Sequence, residues 1–210
     1  MKKYKTEQEA FWAGEFGDEY IARNKDSWLL ASNLALFSAI LKRTKNVTSV
    51  IEFGANIGMN IHALKSLLPE AELNAIEINS KAVEELKKID TLNVYHQSIL
   101  DFIPDTQSDF IFSKGVLIHL EPTMLPQVYA TMYNASRRYI CVIEYYNPSP
   151  MEISYRGHSE KMYKRDFAGE ILDTYPDLEL VDYGFVYHRD PMFLQGDLTW
   201  FLMEKKVKNG

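Results

Sequence analysis

Five short apolar runs, TSVIEF (48–53), LNAIEI (73–78), LNVYH (92–96), DFIFSKGVL (109–117) and RYICVIEYY (138–146), recur along the chain. Between them lie stretches of helical character. A short run with little polar alternation reads as a strand buried on both faces. Strands alternating with helices require a largely parallel sheet covered on both sides. The first intervening helix is expected to start near Gly58 and stop before Pro69, and the second to be capped by Asn79 or Ser80 ahead of KAVEELKK. EPTMLPQVYATMYNASR reads as a third, starting after Pro126 if that proline is not accommodated. Upstream, Asp26-Ser27 begins a helix over 26–43 with Leu30, Leu34, Phe37 and Leu41 at helical spacing. Downstream of residue 146, NPSPMEISYRGHSEKMYKRD is irregular and DFAGEILDTY is helical. LELVDYGFVYH and DLTWFLMEKK then form an antiparallel closing hairpin. The expectation is one domain over 1–210: an N-terminal helical extension (1–45), a core (46–146), and a loop with closing strands (147–210).

The chain is 46% hydrophobic, enough for a sizeable core, and carries a net charge of −6. An acidic chain lacks the basic footprint of a nucleic-acid binder. The one cysteine, Cys141, excludes an internal disulfide framework and a cysteine-based zinc site, and it reads as a small buried hydrophobe. The histidines and carboxylates show no metal-ligand spacing. WLLASNLALFSAIL is too short and too polar to span a bilayer, and MKKYKTEQEAF has no apolar region behind its basic residues. These features point to a cytoplasmic protein without a membrane partner.

The strand TSVIEF runs into GANIG, a turn placed where α/β sheets bind ligands. A Walker A loop needs Lys-Ser or Lys-Thr after its last glycine, and here Met59 and Asn60 follow Gly58. A dinucleotide fingerprint needs three glycines, but Asn56 and Met59 occupy its second and third positions. S-adenosylmethionine (SAM) suits the turn better, because its zwitterionic amino-acid end carries no phosphate. Glu52-x-Gly54-x-Asn56-x-Gly58 supplies an acid for an ammonium and glycines for close approach. Glu77, 19 residues past Gly58 at the end of the next strand, is placed to accept bonds from both ribose hydroxyls. At a strand end it is expected to carry little of the fold. An ordinary tight turn and a solvated glutamate form the plain alternative.

These residues, followed by FSKGVLIHL, resemble the class I SAM-dependent methyltransferases over about residues 48–145. That resemblance implies a Rossmann-like fold with a mostly parallel seven-stranded sheet and an antiparallel last strand. More narrowly, EQEAFWAGEFGDEYIARN and SKGVLIHLEP resemble the pseudaminic acid biosynthesis-associated methylases. The resemblance implies that Glu52, Gly54, Ala55, Asn56 and Gly58 face the methionine part of SAM. Glu77 would bind the ribose, with Ile78 and Asn79 beside the adenine. Ser98 and Ile99 stand where such enzymes place an acid near the adenine amine; Asp101 is the nearest carboxylate. Lys114, Gly115 and Val116 would line the sulfonium side.

A hydroxyl acceptor benefits from a general base. His119 is the best-placed candidate, with a packed or capping histidine as the alternative; Glu144 and His188 rank after it. In FWAGEFGDEYIARN, Trp12, Phe16, Tyr20 and Arg23 read either as core or as a cofactor lid, with Tyr20 over the site and Arg23 near the SAM carboxylate. SYRGHSEKMYKR sets Tyr155, Arg156, His158, Lys161, Tyr163, Lys164 and Arg165 close together on an acidic chain. It reads as a solvated loop or as an anion-binding wall for the acceptor. The expected activity is methylation of a small, polar, anionic acceptor such as a nonulosonic acid or sugar nucleotide. Methylation of another small molecule or a protein side chain, and SAM binding without chemistry, are the alternatives.

Overall fold

The computed structural model describes residues 4–21, 27–157 and 161–206. Two short helices, α1 (Glu7–Ala13) and α2 (Glu15–Ile21), precede α3 (Ser27–Leu41). Thr6 caps α1 in a reciprocal arrangement with Glu9. The expected strands follow as β1 (Ser49–Phe53), β2 (Glu72–Glu77), β3 (Leu92–His96), β4 (Ser108–Lys114) and β5 (Ser136–Glu144). Between them lie α4 (Met59–Leu67), α5 (Ser80–Leu86) and α6 (Leu125–Ala135). Asn79 caps α5 by accepting a hydrogen bond from the Ala82 N–H. Pro126 is accommodated inside α6, because the N–H it lacks is one of the first-turn donors that have no helical partner. β4 ends at Lys114, earlier than its apolar run, and Leu117–His119 form a 3-10 turn.

The segment expected to be irregular contains a small antiparallel pair, β6 (Met151–Glu152) with β7 (Tyr163–Lys164). After α7 (Phe167–Thr174), the hairpin of β8 (Leu178–Val186) and β9 (Leu198–Lys205) completes the sheet. The strand order is β3-β2-β1-β4-β5-β9-β8. The first five are parallel, and β9 lies antiparallel between β5 and β8. This is the expected Rossmann-like α/β arrangement.

Phe37, Ile40, Ile61, Leu64 and Leu86 from α3, α4 and α5 pack one face of the sheet. Leu125, Val128, Met132, Phe167 and Ile171 from α6 and α7 pack the other. Strand order reverses between β1 and β4, so their carboxyl ends open a crevice there. Among the described residues, no helix is long and apolar enough to cross a membrane.

Candidate active site

A cavity of about 340 Å3 opens at that crevice, lined by residues of α1, α2, the β1 and β2 turns, the β4 turn and the loop before β9. Its size suits a small organic ligand. The turn after β1 is drawn tight by the N–H groups of Gly54 and Ala55, both bonded to the Ile76 carbonyl at 2.9 and 3.1 Å. Gly54 has φ +79°, and a Cβ there would lie 2.6 Å from Val116 Cγ2. Gly58 has φ +84°, and a Cβ there would meet Ile89 Cδ1 at 2.7 Å, so that glycine serves packing. Asn56 adopts φ 49°, a conformation asparagine tolerates, and its Oδ1 accepts from the Ile57 N–H at 2.7 Å.

Glu77 joins two turns. Its Oε2 accepts from the Asn56 N–H and its Oε1 from the Asn79 N–H, each at 2.7 Å. The expectation that it carries little of the fold is therefore corrected: it is buried and holds the β1 turn against the β2 turn. Burial pushes its pKa above the usual carboxylate range, against the pull of these bonds. Carboxylate oxygens retain further lone pairs, so acceptor capacity remains on the cavity side.

Glu52 does not line the cavity. It lies beneath, 1% exposed, with Oε1 accepting from Asn60 Nδ2 at 2.6 Å. Its Oε2 has no hydrogen-bond partner among the described residues. Burial raises its pKa to about 8, opposed by the Asn60 bond and the Lys114 charge. Asn60, which the sequence reading passed over, faces the cavity in its stead. Lys114 Nζ donates to Asn33 Oδ1 at 2.7 Å and to Asn60 Oδ1 at 3.3 Å. Burial lowers the Lys114 pKa to about 8, with the Glu52 charge acting the other way. Gln195 Nε2 also donates to Asn33 Oδ1, at 3.0 Å, so α3, α4, β4 and the loop before β9 meet at one polar corner.

His119 lies on the 3-10 turn with its ring 4.6 Å from that of Trp12 and 4.9 Å from that of Tyr155. Its Nδ1 is 2.6 Å from the Lys161 carbonyl oxygen. A carbonyl only accepts, so Nδ1 carries the proton and Nε2 carries the lone pair. Burial lowers its pKa to about 4, so the ring is neutral at ordinary pH. Glu144, the other candidate base, is buried beneath the cavity and does not line it. Its Oε1 accepts from the Ser113 hydroxyl at 2.7 Å and from the Val116 and Leu117 N–H groups at 3.0 and 3.1 Å. It fixes the β4 turn, and burial raises its pKa to about 7.

The N-terminal aromatics roof the cavity. Trp12 and Tyr20 line it, and Asn79 Nδ2 ties the roof down through bonds to the Trp12 carbonyl at 3.2 Å and Asp18 Oδ1 at 2.9 Å. Arg23 and His158 lie outside the described residues. Ala55, Ile78, Ser98, Ile99, Gly115 and Val116 also line the cavity, whereas Gly58 does not. Asp101 stands outside, paired with Lys5 at 2.6 Å.

The expected basic wall is dispersed. Of its members, Tyr155 lines the cavity. Arg165 Nε is bonded to Glu170 Oε1 at 2.6 Å. Lys164 Nζ lies over the Tyr145 ring at 4.9 Å, beside Tyr163 on β7. Lys161 Nζ reaches Glu7 at 3.5 Å, and Arg156 sits over the Tyr155 ring at 5.6 Å. His188 is paired with Asp197 at 2.8 Å, outside the cavity. No cluster of metal-ligating side chains occurs among the described residues.

No family model and no curated protein matches the chain. Solved structures do. One is the Burkholderia thailandensis 1,6-didemethyltoxoflavin-N1-methyltransferase with bound 1,6-didemethyltoxoflavin and S-adenosylhomocysteine. It is 12% identical, with a TM-score of 0.69, covering 95% of this chain and 87% of that one. Magnesium protoporphyrin IX methyltransferase from Synechocystis PCC 6803, with bound SAM, is 11% identical with a TM-score of 0.68, covering 98% of this chain and 100% of that one. The plantazolicin methyltransferase BpumL in complex with a pentazolic desmethylPZN analogue and S-adenosylhomocysteine is 13% identical with a TM-score of 0.64, covering 91% of this chain and 90% of that one. The chain thus has the Rossmann-like methyltransferase fold.

Proposed function

We propose that the protein transfers a methyl group from SAM to a small polar acceptor. The observation that carries this reading is the polarity of the cavity from end to end. Along the order β3-β2-β1-β4, Ile99 with Ile78 and Ala82 give an apolar end, Glu77 offers carboxylate acceptors in the middle, and Lys114 with Asn33 and Asn60 form a cationic corner. That order matches a base, a ribose diol and an amino-acid carboxylate. It does not match a pyrophosphate, which needs backbone N–H groups of a glycine-rich turn. Neighbours of the same fold that hold SAM or S-adenosylhomocysteine support the choice.

When bound, SAM supplies an activated methyl group, so the protein's work is to position, desolvate and remove a proton. The Glu77 carboxylate orients the ribose and the Lys114 ammonium holds the carboxylate. The aromatic roof of Trp12 and Tyr20 excludes water. His119 Nε2, which carries the lone pair, would take the proton that an acceptor hydroxyl or amine loses on methylation. The acceptor would lie in the cavity against the His119 and Tyr155 rings. A sugar-type anionic acceptor, of the nonulosonic acid or sugar nucleotide class, fits this reading through the aromatic wall of Tyr155 and Tyr145. Cations of the outer segment at Arg156, Lys161, Lys164 and Arg165 would attract it from outside.

The reading is tested by titrating S-adenosylhomocysteine and NADH calorimetrically, then incubating sugar intermediates with methyl-labelled SAM and following mass. Tighter binding of NADH would overturn the class. Binding of S-adenosylhomocysteine without label transfer to any sugar would favour a different acceptor or a non-catalytic SAM-binding protein.

A further inference from the structure

A buried carboxylate from the N-terminal helix reaches the nucleoside end of the cavity, in a place the motif residues leave without an acid. If Glu77 holds the ribose and the sulfonium faces His119, the base projects the opposite way, between Ile78 and Ile99 toward the turn at Gln97 and Ser98. Adenine presents its exocyclic amine, a donor, at its far edge. The Ser98 hydroxyl is already engaged, accepting from the Leu100 N–H at 3.0 Å and donating to Glu9 Oε1. Asp101 lies outside.

Glu9, on α1, is buried and lines the same end. Its Oε2 accepts from the Thr6 N–H at 3.2 Å, which anchors the side chain through the helix cap. Its Oε1 is set by Ser98 and keeps a second lone pair. We infer that Glu9 recognises the 6-amino group of the cofactor's adenine, so that a carboxylate 89 residues before Ser98 in sequence completes the site. This assignment rests on the proposed SAM binding. It makes α1 part of the cofactor site as well as its cover, and it makes Glu9 a determinant of base specificity. The amine donates to the carboxylate, whereas a 6-oxo base presents an acceptor that the carboxylate repels.

The test compares S-adenosylhomocysteine with S-inosylhomocysteine, its 6-oxo analogue, by calorimetry on the parent and on Glu9→Gln. Glutamine at this helix position preserves the reciprocal cap with Thr6, so the fold is retained. The parent should prefer the adenosyl compound by about tenfold or more, the value of one charge-assisted hydrogen bond. In Glu9→Gln the ratio should fall to near parity or reverse, because the amide can donate to a 6-oxo group. An unchanged ratio would overturn the assignment while leaving the proposed function standing. A parent that binds neither compound would bring down both. Should Glu9→Gln fail to fold, Glu9→Asp retracts the carboxylate by one methylene and should also lower the ratio; a ratio equal to the parent's would again refute the role.

Discussion

The two sides of the cavity rim are built in opposite ways. At the β2 and β4 turns, buried carboxylates are locked by main chain. Glu77 is clasped by the Asn56 and Asn79 N–H groups, and Glu144 by those of Val116 and Leu117. Across the cavity, side chains come from Tyr145 just after β5, from Tyr155 and Met162 between β6 and β7, and from Gln195 in the loop before β9. Backbone hydrogen bonds preorganise a site and leave unpaired buried donors when an acceptor is removed. Side-chain walls allow substitution with little consequence for stability. The first side suits an invariant ligand, the second a variable one.

The largest effect is expected at Glu77. Glu77→Ala strips the acceptor from two backbone donors, costing about 1–3 kcal/mol for each, and should also weaken S-adenosylhomocysteine binding at least about tenfold. Urea unfolding with calorimetry checks both; an unaltered unfolding midpoint would show that the clasp is not structural.

His119→Gln should lower methyl transfer by about 100- to 10,000-fold, the range for a lost general base, with S-adenosylhomocysteine affinity retained. With its folded pKa near 4, the parent's His119 stays unprotonated and the rate should hold level down to about pH 5. The unfolded chain protonates this histidine below about 6.5 and the folded one below about 4, so its contribution to stability falls as pH drops through that interval. A rate that follows a pKa near 6.5 would show that burial does not hold this imidazole down, whereas an undiminished rate in His119→Gln would remove His119 from the chemistry.

Gly54→Ala imposes a side chain at φ +79° against Val116, for a loss of about 1–3 kcal/mol, with cofactor affinity reduced as the turn shifts. The smallest change in stability is expected on the opposite side. Arg156→Ala with Arg165→Ala removes outer cations and should cost about 1 kcal/mol or less. It should raise the KM of an anionic acceptor severalfold, in a way that added salt mimics, and leave S-adenosylhomocysteine affinity as it was. If the double variant loses cofactor affinity, the separation of the two sides fails.

The same contrast explains what the sequence could reveal. β1 to β5 and the capped helices were readable because apolar runs, Asn79 and the glycine turn act within a few residues of themselves. The Glu77 carboxylate was readable as a ligand acceptor, but its clasp was not, since the Asn56 N–H comes from a turn 21 residues away. Glu9, Asn33 and Gln195 were missed for the same reason: each becomes a site residue only through a partner more than 80 positions distant. The basic cluster shows the same limit from the other side. A count of charges carries no information about partners, and Arg165 had one in Glu170, five residues on.

The antiparallel β9 bears on how the chain is made. The edge strand β8 is joined to the sheet through β9, although β8 is synthesised first. While the polypeptide emerges from the ribosome, β1 to β5 can assemble in order, but β8 has no neighbour to pair with. Its backbone N–H and C=O groups wait unpaired until residues 198–205 are released and slide between it and β5. At about 5–20 residues per second, that interval lasts on the order of a second or more. During it the nascent chain displays an unpaired strand, the segment on which a chaperone would act.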